Sequence, residues 1–207
     1  KAGMHIDAVL KNPVADEHVS RESVGNSRVF LMSEVAGRSM IIEKINKFDP
    51  SITKNSPVVT DIMKKMKELE FEGYQFEGAD GSFELLVRKL IGKYQPFFKL
   101  HYYQTSGMNP RPEKGVNAIA QIKVEVDGQI EVTAGEGDGP VNALDIALRK
   151  ALRRFYPNVE QMRLTDFKVR VLDGKSATAS RVRVLIETTD GVDSWSTVGV
   201  SADLTEA

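Results

Sequence analysis

Three groups of residues in this chain could do chemistry: the histidines His5, His18 and His101, the run Gly135-Glu136-Gly137-Asp138-Gly139-Pro140, and the aromatic stretch "KYQPFFKLHYYQTSG". No two histidines stand at H-x-H or H-x-x-x-H spacing, so a self-contained metal site is not expected. The chain has no cysteine, which removes disulfides, thiolate metal sites and a thiol nucleophile. The glycine run fails as a phosphate loop, because no lysine follows Gly139 where a Walker loop needs one. It fails equally as a dinucleotide fingerprint, which needs G-x-G-x-x-G in a parallel βαβ unit. A more general chemistry survives. Pro140 sits where the first helical residue belongs, so the N–H groups near Gly139 to Asn142 would point outward at a partly positive helix N-terminus. That end suits a carboxylate, and Asp138 beside it suits an ammonium group. The two together are what a free amino acid requires. The competing reading is a tight strand-to-helix turn whose glycines merely permit positive φ. The aromatic stretch resembles a stacking surface for single-stranded nucleic acid, but its alternation fits a strand with a buried aromatic face better.

The elements that must position these groups fall into three segments. Residues 1–48 form a first linker subdomain with two expected helices. "MHIDAVLKNP" stops before Pro13, and a helical period runs through Ile41, Ile42 and Ile45. Residues 49–93 form a helical second linker subdomain. Pro57 is expected at the first helical position with Ser56 as cap, and Val58, Ile62, Met66 and Leu69 form a core-facing stripe. Ser82 is expected to cap the helix "FELLVRKLIGK".

From 94 to 207 the period drops to two. "PFFKLHYYQT", "VNAIAQIKVEV" and "QIEVTAG" read as strands, with a hairpin turn at Asp127-Gly128, and the helix after Pro140 follows. The order then repeats through "TDFKVRVL", "ATASRVRVLIET" and "VDSWSTVGV" to a helix start at "SADLTEA". Gly135 and Gly199 close the third strand of each set. The fold class is therefore α+β, a helical linker followed by two repeated βββα units, which can cover one another's sheet faces.

Composition narrows the partners. With 28 basic and 29 acidic residues the net charge is −1, which offers no field for nucleic acid or an anionic membrane. No apolar run reaches the length of a membrane span and no signal peptide is visible, so a cytoplasmic location is expected. The chain starts at Lys1 and stops a few residues into its last expected helix, so it is expected to be a piece of something longer.

Three stretches together resemble one enzyme family, the 2-isopropylmalate, homocitrate and citramalate synthases. "KAGMHIDAVLKNP" looks like the motif that follows their catalytic barrel, and "VGNSRVFLMSEVAGRS" is similar to the next. The repeated βββα part looks like their C-terminal regulatory domain. "EFEGYQFEGADGSFELL" and "SRESVGNSRVFLMSEVAGRS" resemble the bacterial citramalate branch most. That branch condenses acetyl-CoA with pyruvate, a 2-oxoacid, on the way to isoleucine. The resemblance implies that a TIM barrel holding a divalent metal lies outside this chain, which is then inactive alone and carries no cofactor. It implies that His5 is an accessory catalytic group reaching the partner subunit's active site. It further implies a homodimer that binds an end-product amino acid for feedback inhibition. Gly137, Asp138, Gly139, Pro140, Val141 and Asn142 match the first glycine loop of that effector site, and Val200, Ser201 and Ala202 match the second unit's turn. The effector would be isoleucine, or leucine if the chain belongs to the 2-isopropylmalate branch. From another class, a dimerisation or interaction module with no ligand also fits the residues.

Overall fold

A computed structural model describes residues 38–47, 49–110, 115–172 and 178–207, together with Ser23 and Gly25. The chain divides into two compact units. The first contains the helices up to Tyr94 together with Asp166–Glu187 and Trp195–Ala207, and the second contains Gln95–Thr165 with Thr188–Ser194.

Among the described residues the first unit carries three helices, α1 (Arg38–Asn46), α2 (Pro57–Phe71) and α3 (Asp80–Leu90). Ser56 is the extended N-cap residue of α2 and Pro57 its first helical residue, as the sequence predicts. The Ser56 hydroxyl turns away from the helix and accepts from the N–H of Thr53 at 3.0 Å. Val59, Ile62 and Met66 carry the buried stripe of α2, with Val58 and Leu69 at its margins. They close on Ile41 and Ile45 of α1, on Phe83 and Val87 of α3, and on Phe76 between them. The start of α3 departs from expectation: it begins at Asp80 with Ala79 as N-cap, and Ser82 lies inside the first turn. Asp80 in the first turn and Arg88 and Lys89 in the last complement the helix dipole. Gly92 ends α3 in the left-handed region at φ 71°. There the N–H of Gly92 donates to Lys89 O at 3.3 Å and that of Lys93 to Arg88 O at 2.9 Å, a Schellman stop. Lys93 then pairs with the buried Asp49 at 2.7 Å, tying the exit of α3 to the chain just beyond α1.

The second unit is a three-stranded antiparallel sheet under one helix. Strands β1 (Lys99–Gly107), β2 (Ala118–Val126) and β3 (Gln129–Gly137) lie in that order, and α4 (Pro140–Leu152) follows. Asp127 and Gly128 take positive φ of 48° and 77°, which joins β2 to β3 through a two-residue primed turn. Strand β2 alternates strictly, with Ala118, Ala120, Ile122, Val124 and Val126 buried. On α4 the row Ala143, Ala147 and Ala151 is fully buried, and such small side chains let the helix backbone approach the sheet closely. Strand β1 is an edge strand and is largely exposed. The expected aromatic buried face is therefore only partial: Phe98 and Tyr103 pack on the core, whereas Phe97 and Tyr102 stand in solvent.

The repeat places β4 (Arg163–Val171), β5 (Val182–Thr189) and β6 (Ser194–Ser201) in a second three-stranded sheet of the same order. Its hairpin is longer than the first. Asp190 accepts from the N–H groups of Val192 and Asp193 at 2.9 and 2.8 Å, and these bonds hold its carboxyl below the usual carboxylate range. The hairpin thus closes through a side chain where the first unit uses a bare turn.

Candidate functional site

The glycine turn is held by close packing, and that explains two of its three glycines. Gly135 and Gly137 are buried, and neither has positive φ. A Cβ on Gly135 would collide with Ala143 O and lie 2.6 Å from Ala147 N, both backbone atoms of α4. One on Gly137 would lie 2.5 Å from Asn142 Oδ1 and 2.6 Å from Ala143 N. These residues are glycine because strand and helix meet there without room for a side chain.

Gly139 differs. It is the N-cap of α4, in extended backbone at φ −163°, ψ 173°, with no atom of the described residues within 4 Å of where its Cβ would stand. Neither conformation nor packing demands glycine at this position. No side chain caps the helix, so the N–H groups of its first turn face outward beside Gly139.

Two asparagines fix the loop. Asn142 Oδ1 accepts from the N–H of Asp138 at 3.1 Å, much as the third residue of a capping box would. Asn117, just before β2, donates from its own N–H to Gly137 O and from Nδ2 to Asp138 O, each at 3.2 Å. Asn117 Oδ1 is buried and has no hydrogen-bond partner among the described residues. An unmet buried acceptor costs about 1–3 kcal/mol, so a donor brought there would be bound with advantage. Sequence reasoning missed Asn117, because a single asparagine at a strand start carries no spacing signal. With the exposed carboxylate of Asp138, the loop offers outward N–H groups to an anion and acceptors to a cation.

The turn of the second βββ repeat follows the same plan. Asp203 stands 64 residues after Gly139 and takes the cap position of a hydrogen-bonded turn, where the sequence predicts the start of a helix. The N–H of Ala207 donates to Asp203 O at 3.0 Å, as that of Ala143 donates to Gly139 O at 2.9 Å. A Cβ on Gly199 would collide with Ala207 O, as one on Gly135 would with Ala143 O. Here the cap is filled: Asp203 Oδ1 accepts from the N–H and Oγ1 of Thr205, each at 2.7 Å. Those bonds, the Thr205 hydroxyl first, hold the Asp203 carboxyl below the ordinary range. Ser201 accepts from the N–H of Asp203 at 3.1 Å and donates to Glu206 at 2.6 Å. Gly137 to Asn142 run from the end of β3 into the first turn of α4, whereas Val200 and Ser201 are the last residues of β6 and Ala202 follows them.

His5 and His18 lie outside the described residues, and His101 pairs with Glu125 at 2.8 Å on β1 and β2. Among the described residues no three His, Cys, Asp or Glu side chains gather as metal ligands, and no helix is long and apolar enough to cross a membrane.

The chain has counterparts among known proteins. Residues 77–207 match the model of the LeuA allosteric (dimerisation) domain, and residues 1–73 match that of the homocitrate synthase post-HMGL domain-like family. The chain belongs to the LeuA allosteric domain family. Along its whole length it is 44% identical to (R)-citramalate synthases of Synechocystis sp. and of Geobacter sulfurreducens, covering 38% and 39% of those proteins. It is 28% identical to a 2-isopropylmalate synthase of Clostridium kluyveri, again over the whole chain and 37% of that protein. The chain thus spans well under half the length of these curated relatives. The LeuA match begins at Glu77, so it takes in α3 as well as both sheets.

Proposed function

We propose that this chain is the linker and allosteric domain of a citramalate-type synthase. Such an enzyme condenses acetyl-CoA with a 2-oxoacid in the cytoplasm, and here isoleucine would restrain it by feedback. The single observation that carries the reading is Gly139. It is a glycine that neither backbone nor packing requires, beside uncapped helix N–H groups and the unmet acceptor of Asn117. A bound amino acid would lay its carboxylate against the N–H groups of Val141 and Asn142. Its ammonium group would face Asp138 and Asn117. Half-buried Val141 would flank the side chain, where one methylene is worth about 1–3 kcal/mol of selectivity. Val200, Ser201 and Ala202, at the matching turn of the second repeat, would take part in effector recognition.

Identities of 38–44% to several citramalate synthases, against 28% to a 2-isopropylmalate synthase, favour isoleucine over leucine. The full enzyme would be a homodimer. The face of the first sheet opposite α4 leaves Tyr102, Ile119, Ile130 and Val132 exposed, apolar surface that a second copy would cover. His5 would act as an accessory group at the active site of the partner subunit. The barrel with its divalent metal would lie in the rest of the protein, and this chain alone would not turn over substrate. Inhibition then requires that the effector bind one arrangement of the dimer better than another.

Thermal melting with isoleucine, leucine and valine in turn tests this reading. At 100 times its Kd a true effector adds about 2.7 kcal/mol to folding. A rise in Tm with isoleucine well above that with leucine or valine is expected. A leucine-selective rise would move the chain to the other branch, and no rise with any of them would leave an interaction module without a ligand.

A further inference from the structure

One turn of the proposed effector site sits at the end of an edge strand that the linker holds from the side. Strand β6 is the outer strand of its sheet, so one row of its backbone groups has no neighbouring strand to pair with. In the middle of that strand the N–H of Val198 donates to Ser82 Oγ at 2.8 Å, and the Ser82 hydroxyl donates back to Val198 O at 3.4 Å. A single hydroxyl from the first turn of α3 thereby does what a paired strand would do. The two residues are 116 positions apart in sequence. Beside it, a Cβ on Gly81 would lie 3.0 Å from Ser196 O and 3.3 Å from Thr197 Cγ2, so the backbone of α3 is seated directly on β6. Just beyond Val198, Ala207 closes over Gly199, and Ser201 binds Asp203 and Glu206. The helix and the turn therefore grip neighbouring residues of one short strand.

We propose that Gly81 and Ser82 form a coupling clamp through which the 201–207 turn and the linker helix α3 move together. Ser82 is then a positioning residue for the regulatory response. The clamp supplies a contiguous route by which an effector at the turn reaches the linker, and in that sense it rests on the effector reading. Rigid packing favours such transfer, because a strand fixed at Val198 cannot shift at Ser201 without loading its neighbour.

The test needs no ligand, so failure of isoleucine to bind would count against the effector reading and leave this one standing. Backbone hydrogen exchange is followed in this chain for Asp203→Ala, Ser82→Ala and the double variant. Asp203→Ala removes the acceptor that Thr205 uses and loosens the turn. Exchange of the α3 amides from Glu84 to Leu90 is expected to rise at least about threefold in Asp203→Ala, as for groups coupled through contact. In the Ser82→Ala background, Asp203→Ala is expected to add no further rise at α3. Ser82→Thr, which keeps the hydroxyl, is expected to restore it. Gly81→Ala gives a second route, since it wedges α3 off β6 with the hydroxyl intact, and should also abolish the transfer. An equal rise at α3 with and without the clamp, or a loosened turn that leaves α3 unchanged in the presence of Ser82, would overturn the proposal.

Discussion

The sharpest difference between neighbouring residues lies in the glycine turn, and it sets a quantitative test. In Gly135→Ala the new methyl meets Ala143 O and, at 2.6 Å, Ala147 N, and both are helix backbone that no rotamer change can move. The helix must lift from β3 or the strand must bow. Overpacking of this kind costs about 1–3 kcal/mol, and two backbone collisions on a row of fully buried alanines place it near the top of that range. For a cooperative unit of this size each kcal/mol lowers Tm by roughly 4–8 °C, so a loss of about 10–20 °C is expected in the second unit. Gly139→Asp should behave oppositely. Its Cβ meets nothing within 4 Å, and Asp203 already fills the matching cap in the second repeat. Aspartate is as good an N-cap as glycine or better by a few tenths of a kcal/mol, so Tm should hold within a few degrees. Thermal melting followed by far-UV circular dichroism compares the two. If Gly135→Ala melted with the native chain, or Gly139→Asp fell as far as Gly135→Ala, the distinction between packing glycines and the open one would be refuted.

Three further outcomes follow from other parts of the molecule. Lys93, and after it Ser51, lower the Asp49 carboxyl from 3.8 to about 2. A carboxyl depressed on folding stabilises the native state above its unfolded pKa, and the effect disappears as pH falls through the folded value. Asp49→Asn should therefore lower Tm at pH 7, with the gap to the native chain closing between about pH 4 and pH 2 in a pH series of melts. Arg183 donates to Gly73 O and Gln75 Oε1 at 2.5 and 2.6 Å, with its pKa lowered by burial and then by Arg170. Removing those charged donors in Arg183→Met should cost roughly 1.5–3 kcal/mol, read as a lower urea midpoint, and Arg183→Lys should not restore it. In the full-length enzyme His5→Ala should lower kcat while leaving isoleucine binding to the regulatory domain unchanged, measured by steady-state assay and calorimetry together.

What the sequence reveals about this chain is mostly what is local. Asp127-Gly128 announces its turn because both residues must accept positive φ, and Pro140 marks the start of α4 because its missing N–H is harmless there. The stripe on α2 and the strict alternation of β2 are legible because each buries one face. The repeat is legible because Gly135 and Gly199 each lie against the backbone of the segment that follows the third strand. Partners distant in sequence left no such trace. Ser82 reads as a helix cap, which is the usual use of serine before an apolar run, yet its hydroxyl serves Val198 in another element. Asn117 reads as an ordinary strand-start residue, although it pins the loop that carries Asp138. The exposure of Tyr102 follows from its place on the sheet face opposite α4, and periodicity does not encode which face the helix covers.

The central claim is that the turn around Gly139 holds an amino acid, and a calorimetric titration of isoleucine into the native chain and into Gly139→Asp tests it most directly. Saturable binding to the native chain and none to Gly139→Asp is expected, with the variant's melting curve still intact in the absence of ligand. Equal affinity for both chains would contradict it and would leave Gly139 no part in effector recognition.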